Sequence, residues 1–281
     1  MFGSVEALLS AAVDKPLWQA VLEDDCRDRD ASPEAATAKM GGLWQAMKDS
    51  VLDYDPTRRS ACGLSGGQGA QMAAASNTIC GPFMQEVAAT ALKLGEHNAC
   101  MGRIVAAPTA GACGVLPAVL IPIQRKDRLS DEDMVKCLFA AAGFGQVIAA
   151  RASISGAEGG CQAEVGSASG MAAAALVQAR GGTAAQMAAA CAMALQNVLG
   201  LVCDPVAGLV EVPCVKRNVM GAANALTCAD MALAGLNGGI PCDEVIDAMG
   251  TVGRLMPASL RETGEGGLAA TPTGRRLAEG R

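Results

Sequence analysis

Apolar positions recur at helical spacing from Val5 to Val21, and the charged run Glu23 to Asp30 (EDDCRDRD) then interrupts them, reading as a solvated turn. Ser32-Pro33-Glu34 follows: an N-cap, a proline at the first helical position and an acid in the first turn. This start predicts a helix to about Asp53, with Leu43, Met47 and Val51 on one face. From Ser60 onward, alanine-rich helical segments alternate with the glycine clusters Gly66-Gly67, Gly111 to Gly114, Gly156 to Gly160 and Gly166 to Gly170. Period-2 alternation is nearly absent, so the expected fold is all-α. No long Pro/Ser linker divides the chain, so residues 1–281 are expected to form one large helical domain, with 1–59 as its N-terminal part.

Two charge-free stretches, Ile104 to Gln124 and Gly181 to Cys203, reach membrane-spanning length. Prolines and glycines break the first, Thr183, Gln186, Gln196 and Asn197 punctuate the second, and neither has a flanking basic cluster or an aromatic belt. Both read as buried helices of a domain that does not enter a membrane. Met1 to Trp18 carries Glu6, Asp14 and Lys15 in place of the basic and apolar regions of a secretory leader, so a cytoplasmic location is expected.

Composition sharpens this picture. Of 281 residues, 51% are hydrophobic but only 2% aromatic, and 22 basic side chains face 28 acidic ones, a net charge of −6. Such a chain buries enough surface to fold, which excludes disorder, and it lacks the basic stripe and stacking rings of a nucleic-acid binder. The 34 glycines either cap helices and allow close packing or expose backbone N–H groups that can hold a carboxylate.

In a reducing compartment the 12 cysteines are not disulfides, and most read as small buried hydrophobes. Cys137, Cys191 and Cys228 lie within helical stretches and fit that reading. Cys161, in GAEGGCQAEVG, and Cys203 and Cys214, in CDPVAGLVEVPC, stand apart, because a glycine- and proline-rich backbone frees N–H groups to hydrogen-bond a ligand thiolate. No CxxC pair is present, which disfavours zinc ribbons, ferredoxin-type carriers and thioredoxin chemistry. The single histidine, His97, falls in what reads as a polar surface turn, Gly95 to Asn98, so any general base is expected from elsewhere.

Taken together, SGGQGAQM (65–72), RIVAAPTAGACGVLPAVL (103–120), RASISGAEGGCQAEVGSASGMAAAAL (151–176), LGLVCDPVAGLVEVPCVKRNVMGAANAL (199–226) and ETGEGGLAATPTGRRL (262–277) resemble the α chain of iron-sulfur-dependent L-serine dehydratases. The resemblance covers roughly Ser60 to the C-terminus. It implies a lyase of amino-acid degradation and gluconeogenesis that converts L-serine to pyruvate and ammonia without PLP. A 4Fe-4S cluster would be held by Cys161, Cys203 and Cys214 only, leaving one iron open as a Lewis acid for the serine hydroxyl.

Within that frame Ser65, Thr109 and Lys216 are candidate catalytic groups, and Ser65, Gly66, Gly67, Thr109, Gly111 and Arg217 candidate substrate-binding residues. Helix capping for the glycines and solvated charge for Lys216 and Arg217 are equally open readings. In the family a smaller domain bearing a Ser-Ser-His-Thr segment is either fused or supplied as a β chain. Its absence here implies a separate β chain, a heterodimer or larger assembly, and a histidine from that partner. With no cysteine at the C-terminus, ligation of the cluster by the chain's own tail is not expected. Two rivals remain: an L-cysteine desulfidase of related architecture, and a non-catalytic iron-sulfur protein.

Overall fold

A computed structural model describes residues 1–279. Among them run thirteen α-helices and no strand beyond one isolated bridge, Cys203 to Arg261, so the fold is all-α as expected. At its centre lies α9 (Ser167–Ala179), buried at every position from Ser167 to Val177, because its alanines and glycine present an apolar surface all round. Around α9 pack α6 (Val115–Asp127), α7 (Asp131–Arg151), α10 (Ala184–Gln196) and α11 (Cys214–Leu233). Small side chains set the spacing: a Cβ on Gly170 would stand 3.0 Å from the Cys191 sulfur. The Gly166 to Gly170 cluster therefore lies inside a helical run and serves packing, where the sequence reading expected a helix end.

The N-terminal helices α1 (Val5–Ala11), α2 (Leu17–Arg29) and α3 (Pro33–Leu52) join the same buried cluster, with Leu8, Val21 and Trp44 all against α7 neighbours or beneath them. Three local expectations change here. The Val5 to Val21 run is two helices, broken before Pro16, and the charged run 23–29 is helical. Arg29 pairs with Asp25 and Arg27 with Asp24 on successive turns, and Asp24 also takes the terminal ammonium, so charge alternation supports the helix instead of ending it. In α3, Leu43 is exposed and Trp44 takes the inward position, its indole donating to Asp131 at 2.8 Å.

The apolar stretches are also only partly helical. Ile104 to Thr109 is irregular, with bends at Ala107 and Pro108, helix α6 starts at Val115, and α10 stops at Gln196. By length and composition, α7 is the one described helix able to cross a membrane, yet 61% of its apolar window is buried in the protein.

Between α3 and the cysteine-bearing half, α4 (Gln68–Ala73) and α5 (Gly81–Ala99) are joined by Glu96, which is 1% exposed. Its carboxylate accepts from the Gly66, Gln68 and Gly69 amides at 3.1, 2.9 and 3.0 Å and from the Tyr54 hydroxyl at 2.7 Å. His97 is 6% exposed in the last turn of α5, not on the surface, and burial holds its imidazole below the ordinary value.

Two outcomes follow from these buried groups. Glu96→Ala strands three amides and is expected to cost about 3 kcal/mol or more, read as a lower urea midpoint with unchanged slope. Because the folded state keeps His97 neutral, stability is lost as pH falls below the unfolded value of 6.5, and His97→Gln flattens that acid-side loss in urea titrations run between about pH 7 and 5.

Candidate functional site

Three backbone segments bring Cys161, Cys203 and Cys214 into one electrostatic neighbourhood. Cys161 immediately precedes a π-helical turn, Gln162–Gly166, entered through Gly160 at φ 76°. A Cβ on Gly160 would lie 2.9 Å from the Leu201 carbonyl, so only glycine lets the two segments meet. Gln162 then staples them: its backbone N–H donates to Leu201 O, its side chain accepts from Gly200 N at 2.9 Å and donates to Met249 O at 3.0 Å. Cys203 lies in the bridge, donating to Leu260 O and accepting from Glu262 N at 2.9 and 2.7 Å. Cys214 begins α11, and Asn218 one turn on ties its carbonyl to the Gly111 carbonyl and the Gly114 amide.

Arg217 faces inward from the same turn. It donates to Val202 O at 2.7 Å and to Asp204 at 2.8 Å, while the other Asp204 oxygen accepts from Leu268 N at 2.7 Å. Its positive charge opposes the rise of the Cys161 pKa. Burial pushes the Cys161 thiol up to about 11 and that of Cys214 up to about 12, and drives Cys203 well above its ordinary value. Cys161 further raises both of the others, and Glu164, Cys214 and Glu262 add to the rise at Cys203. Without a bound cation, these three thiols are neutral.

Glu164 is the acid the sequence reading missed. Projecting from the π turn, it lies 3.9 Å from the Cys203 sulfur, and a Cβ on Gly111 or Gly156 would come within 3.3 or 2.7 Å of its oxygens. Burial pushes its carboxyl up, and Glu262 adds to the rise. Among the described residues no cation lies within ion-pair distance of it. The Thr109 hydroxyl oxygen faces Glu164, is buried, and makes no hydrogen bond of normal geometry. The sequence marks Glu164 only by its place three residues after Cys161, and a turn wider than ordinary helix spacing sets where its side chain goes.

The other predicted residues divide. Thr109, Gly111 and Arg217 do stand at the cysteine site. In the Ser65-Gly66-Gly67 segment the Ser65 amide donates to the Ser60 hydroxyl and the Gly66 amide, with those of Gln68 and Gly69, to the chain's own Glu96 carboxylate, so these amides are already engaged. That segment instead braces the cysteine loop, since Ser60, paired to Ser65, donates to Glu211 at 2.7 Å. Lys216 is exposed and makes no ion pair among the described residues, so α11 turns Arg217 inward and leaves Lys216 outside. Cys137, Cys191 and Cys228 are buried within α7, α10 and α11 as read. Among the described residues no trio of His, Cys, Asp or Glu converges as a site for a single metal ion. A cavity of about 500 Å³ between α1, α10 and residues 237–243 includes none of these groups.

The pattern of the serine dehydratase alpha chain family matches residues 13–269. A probable L-serine dehydratase alpha chain of Bacillus subtilis is 58% identical over 282 residues, covering 99% of this chain and 94% of that one. The L-serine dehydratase alpha chain of Peptoniphilus asaccharolyticus is 42% identical over 93% of this chain and 91% of its own length. L-serine dehydratase 2 of Escherichia coli is 46% identical over 64% of this chain but only 40% of its own, longer sequence. With the match running through the cysteine segments and most of the N-terminal helices, the chain belongs to the serine dehydratase alpha chain family.

Proposed function

We propose that this chain is the cluster-carrying half of a cytoplasmic lyase that converts L-serine to pyruvate and ammonia, with Cys161, Cys203 and Cys214 holding a 4Fe-4S cluster and a separate β chain completing the site. The observation that carries this reading is the set of three buried, neighbouring thiols on backbone pinned by hydrogen bonds, free of disulfides. Soft thiolates suit iron-sulfur chemistry, and a cluster spreads its ligands over different irons, in keeping with thiols that do not converge on one ion. When bound, the cluster supplies an open iron as a Lewis acid toward the serine hydroxyl.

The chain's own residues do the rest of the work on this side of the site. Arg217, fixed by Asp204, keeps a positive charge beside Cys161 and so favours the thiolate. Glu164, a carboxylate with no cation among the described residues, takes the ammonium of L-serine, and the unbonded Thr109 hydroxyl donates to the substrate beside it. Gly111 and Gly156 let backbone approach Glu164 and hold its carboxylate against the sulfur of Cys203. The sole histidine, buried in α5, is not exposed to a substrate, so removal of the α-proton falls to the β chain. The names of the Bacillus and Peptoniphilus relatives, each an alpha chain, support a two-chain enzyme.

Cys161→Ser, Cys203→Ser and Cys214→Ser are each expected to abolish turnover of L-serine and to lower iron and acid-labile sulfide after anaerobic purification. Cys137→Ser and Cys191→Ser keep both and lose about 1–2 kcal/mol of stability, since each buries a hydroxyl in a thiol's place. A wild-type protein that is iron-free after anaerobic purification overturns the cluster assignment. Gly156→Ala sets a methyl 2.7 Å from Glu164 and 3.1 Å from the Cys203 sulfur, and is expected to cut turnover by about ten-fold or more with the melting temperature nearly unchanged.

A further inference from the structure

A second cavity, of about 350 Å³ and within the size range of small-molecule sites, borders the π turn at Ala163 but is not lined by Cys161, Cys203, Cys214 or Glu164. It is lined by Ser153 and Glu158, by Gly159 and Ala163 on either side of Cys161, and by Arg254 and Arg261. Neither arginine has a carboxylate within ion-pair distance among the described residues. Arg254 donates only to Thr251 at 3.0 Å, and Arg261 reaches the Glu158 carbonyl at a long 3.5 Å. The Nε of Arg261 is buried with no acceptor at all. A buried guanidinium N–H left without a partner costs free energy, and folded proteins rarely leave one so.

We propose that this cavity is a second binding site, for a small, singly charged carboxylate held by the guanidinium groups of Arg254 and Arg261. Two guanidinium forks match the two oxygens of a carboxylate, and Nε of Arg261 gains its missing acceptor. Glu158 decides the charge class: its carboxylate, bonded to the Ser153 hydroxyl at 2.6 Å, lines the same cavity and repels a multiply charged anion such as phosphate. Occupancy has a route to the thiols. Gly159 and Ala163 are each two residues from Cys161, and Arg261 is the bridge partner of Cys203, so a bound carboxylate braces two of the three cysteine segments together. The proposal stands on these groups alone and does not depend on L-serine turnover.

The test is calorimetric titration of the full chain, purified anaerobically, with pyruvate and separately with inorganic phosphate. Wild-type protein is expected to bind pyruvate saturably and to prefer it to phosphate. Arg261→Gln and Arg254→Gln are each expected to weaken that binding by about ten-fold or more while iron content, and L-serine turnover once the β chain is added, stay near wild type. Binding that survives unchanged in both variants belongs to the cysteine site and overturns the proposal, as does a preference for phosphate or the absence of saturable binding. If Arg261→Gln does not fold, Arg254→Gln, at the exposed end of α12 (Cys242–Leu255), carries the comparison by itself. Lack of turnover by the wild-type chain assembled with its β chain, with pyruvate binding intact, counts against the proposed activity and leaves this site standing.

Discussion

Three thiols that are each under 10% exposed cannot ionise beside one another unless something positive is present, and this electrostatic constraint organises the C-terminal half of the molecule. Part of the answer is built in. Arg217 gives Cys161 a positive neighbour, and it can do so only because Asp204 and the Val202 carbonyl fix its guanidinium, with Leu268 N fixing Asp204 in turn. That chain of bonds links α11, the cysteine loop and the C-terminal segment, so the position of one charge depends on three parts of the sequence. In the proposed function the remaining positive charge would come from the cluster held by the thiols.

Holding sulfur atoms on separate segments also demands backbone that approaches closely without side chains in the way. Gly160 against Leu201 and Gly156 beneath Glu164 and Cys203 meet that demand directly. The alanine-rich scaffold meets it at longer range, because α9 with its small residues lets α7, α10 and α11 close around it without large aromatic side chains. A core filled by bulkier rings would hold these helices further apart, and the loops at their ends would not bring Cys161, Cys203 and Cys214 within reach of each other's charge.

Sequence reading recovered what depends on local pattern and long motifs. The all-α fold, the α3 start at Ser32-Pro33 and the placing of Cys137, Cys191 and Cys228 inside helices follow from spacing and neighbours, whereas Cys161 and Cys214 stand at helix starts and only Cys203 lies outside a helix. It failed where long-range pairing decides. The Gly66 amide looks free until Glu96, thirty residues on, is found accepting from it and from its neighbours Gln68 and Gly69. Lys216 and Arg217 are adjacent and alike in charge, and only the helical phase of α11 turns one toward Asp204 and the other to solvent. Likewise the 23–29 run reads as a break by charge density, while its alternating signs, with Asp24 reaching the terminal ammonium, make it a helix. Glu164 was invisible because its role comes from the π turn, which widens the helix locally and has no compositional mark.

Unsatisfied polar atoms give an independent view of where the molecule is incomplete. Of the buried side-chain atoms without a hydrogen bond among the described residues, those of Asp24, Glu86 and Asp127 still sit in ion pairs. Gln146 Oε1, Thr109 Oγ1, Ser167 Oγ and Arg261 Nε have neither. Three of these four border the same short stretch: Ser167 ends the π turn, Thr109 faces Glu164 on it, and Arg261 is the bridge partner of Cys203. Random imperfections would be scattered through a structure of this size. Their concentration around the cysteine segments supports the two proposed binding sites, with Thr109 beside Glu164 in one and Arg261 lining the other.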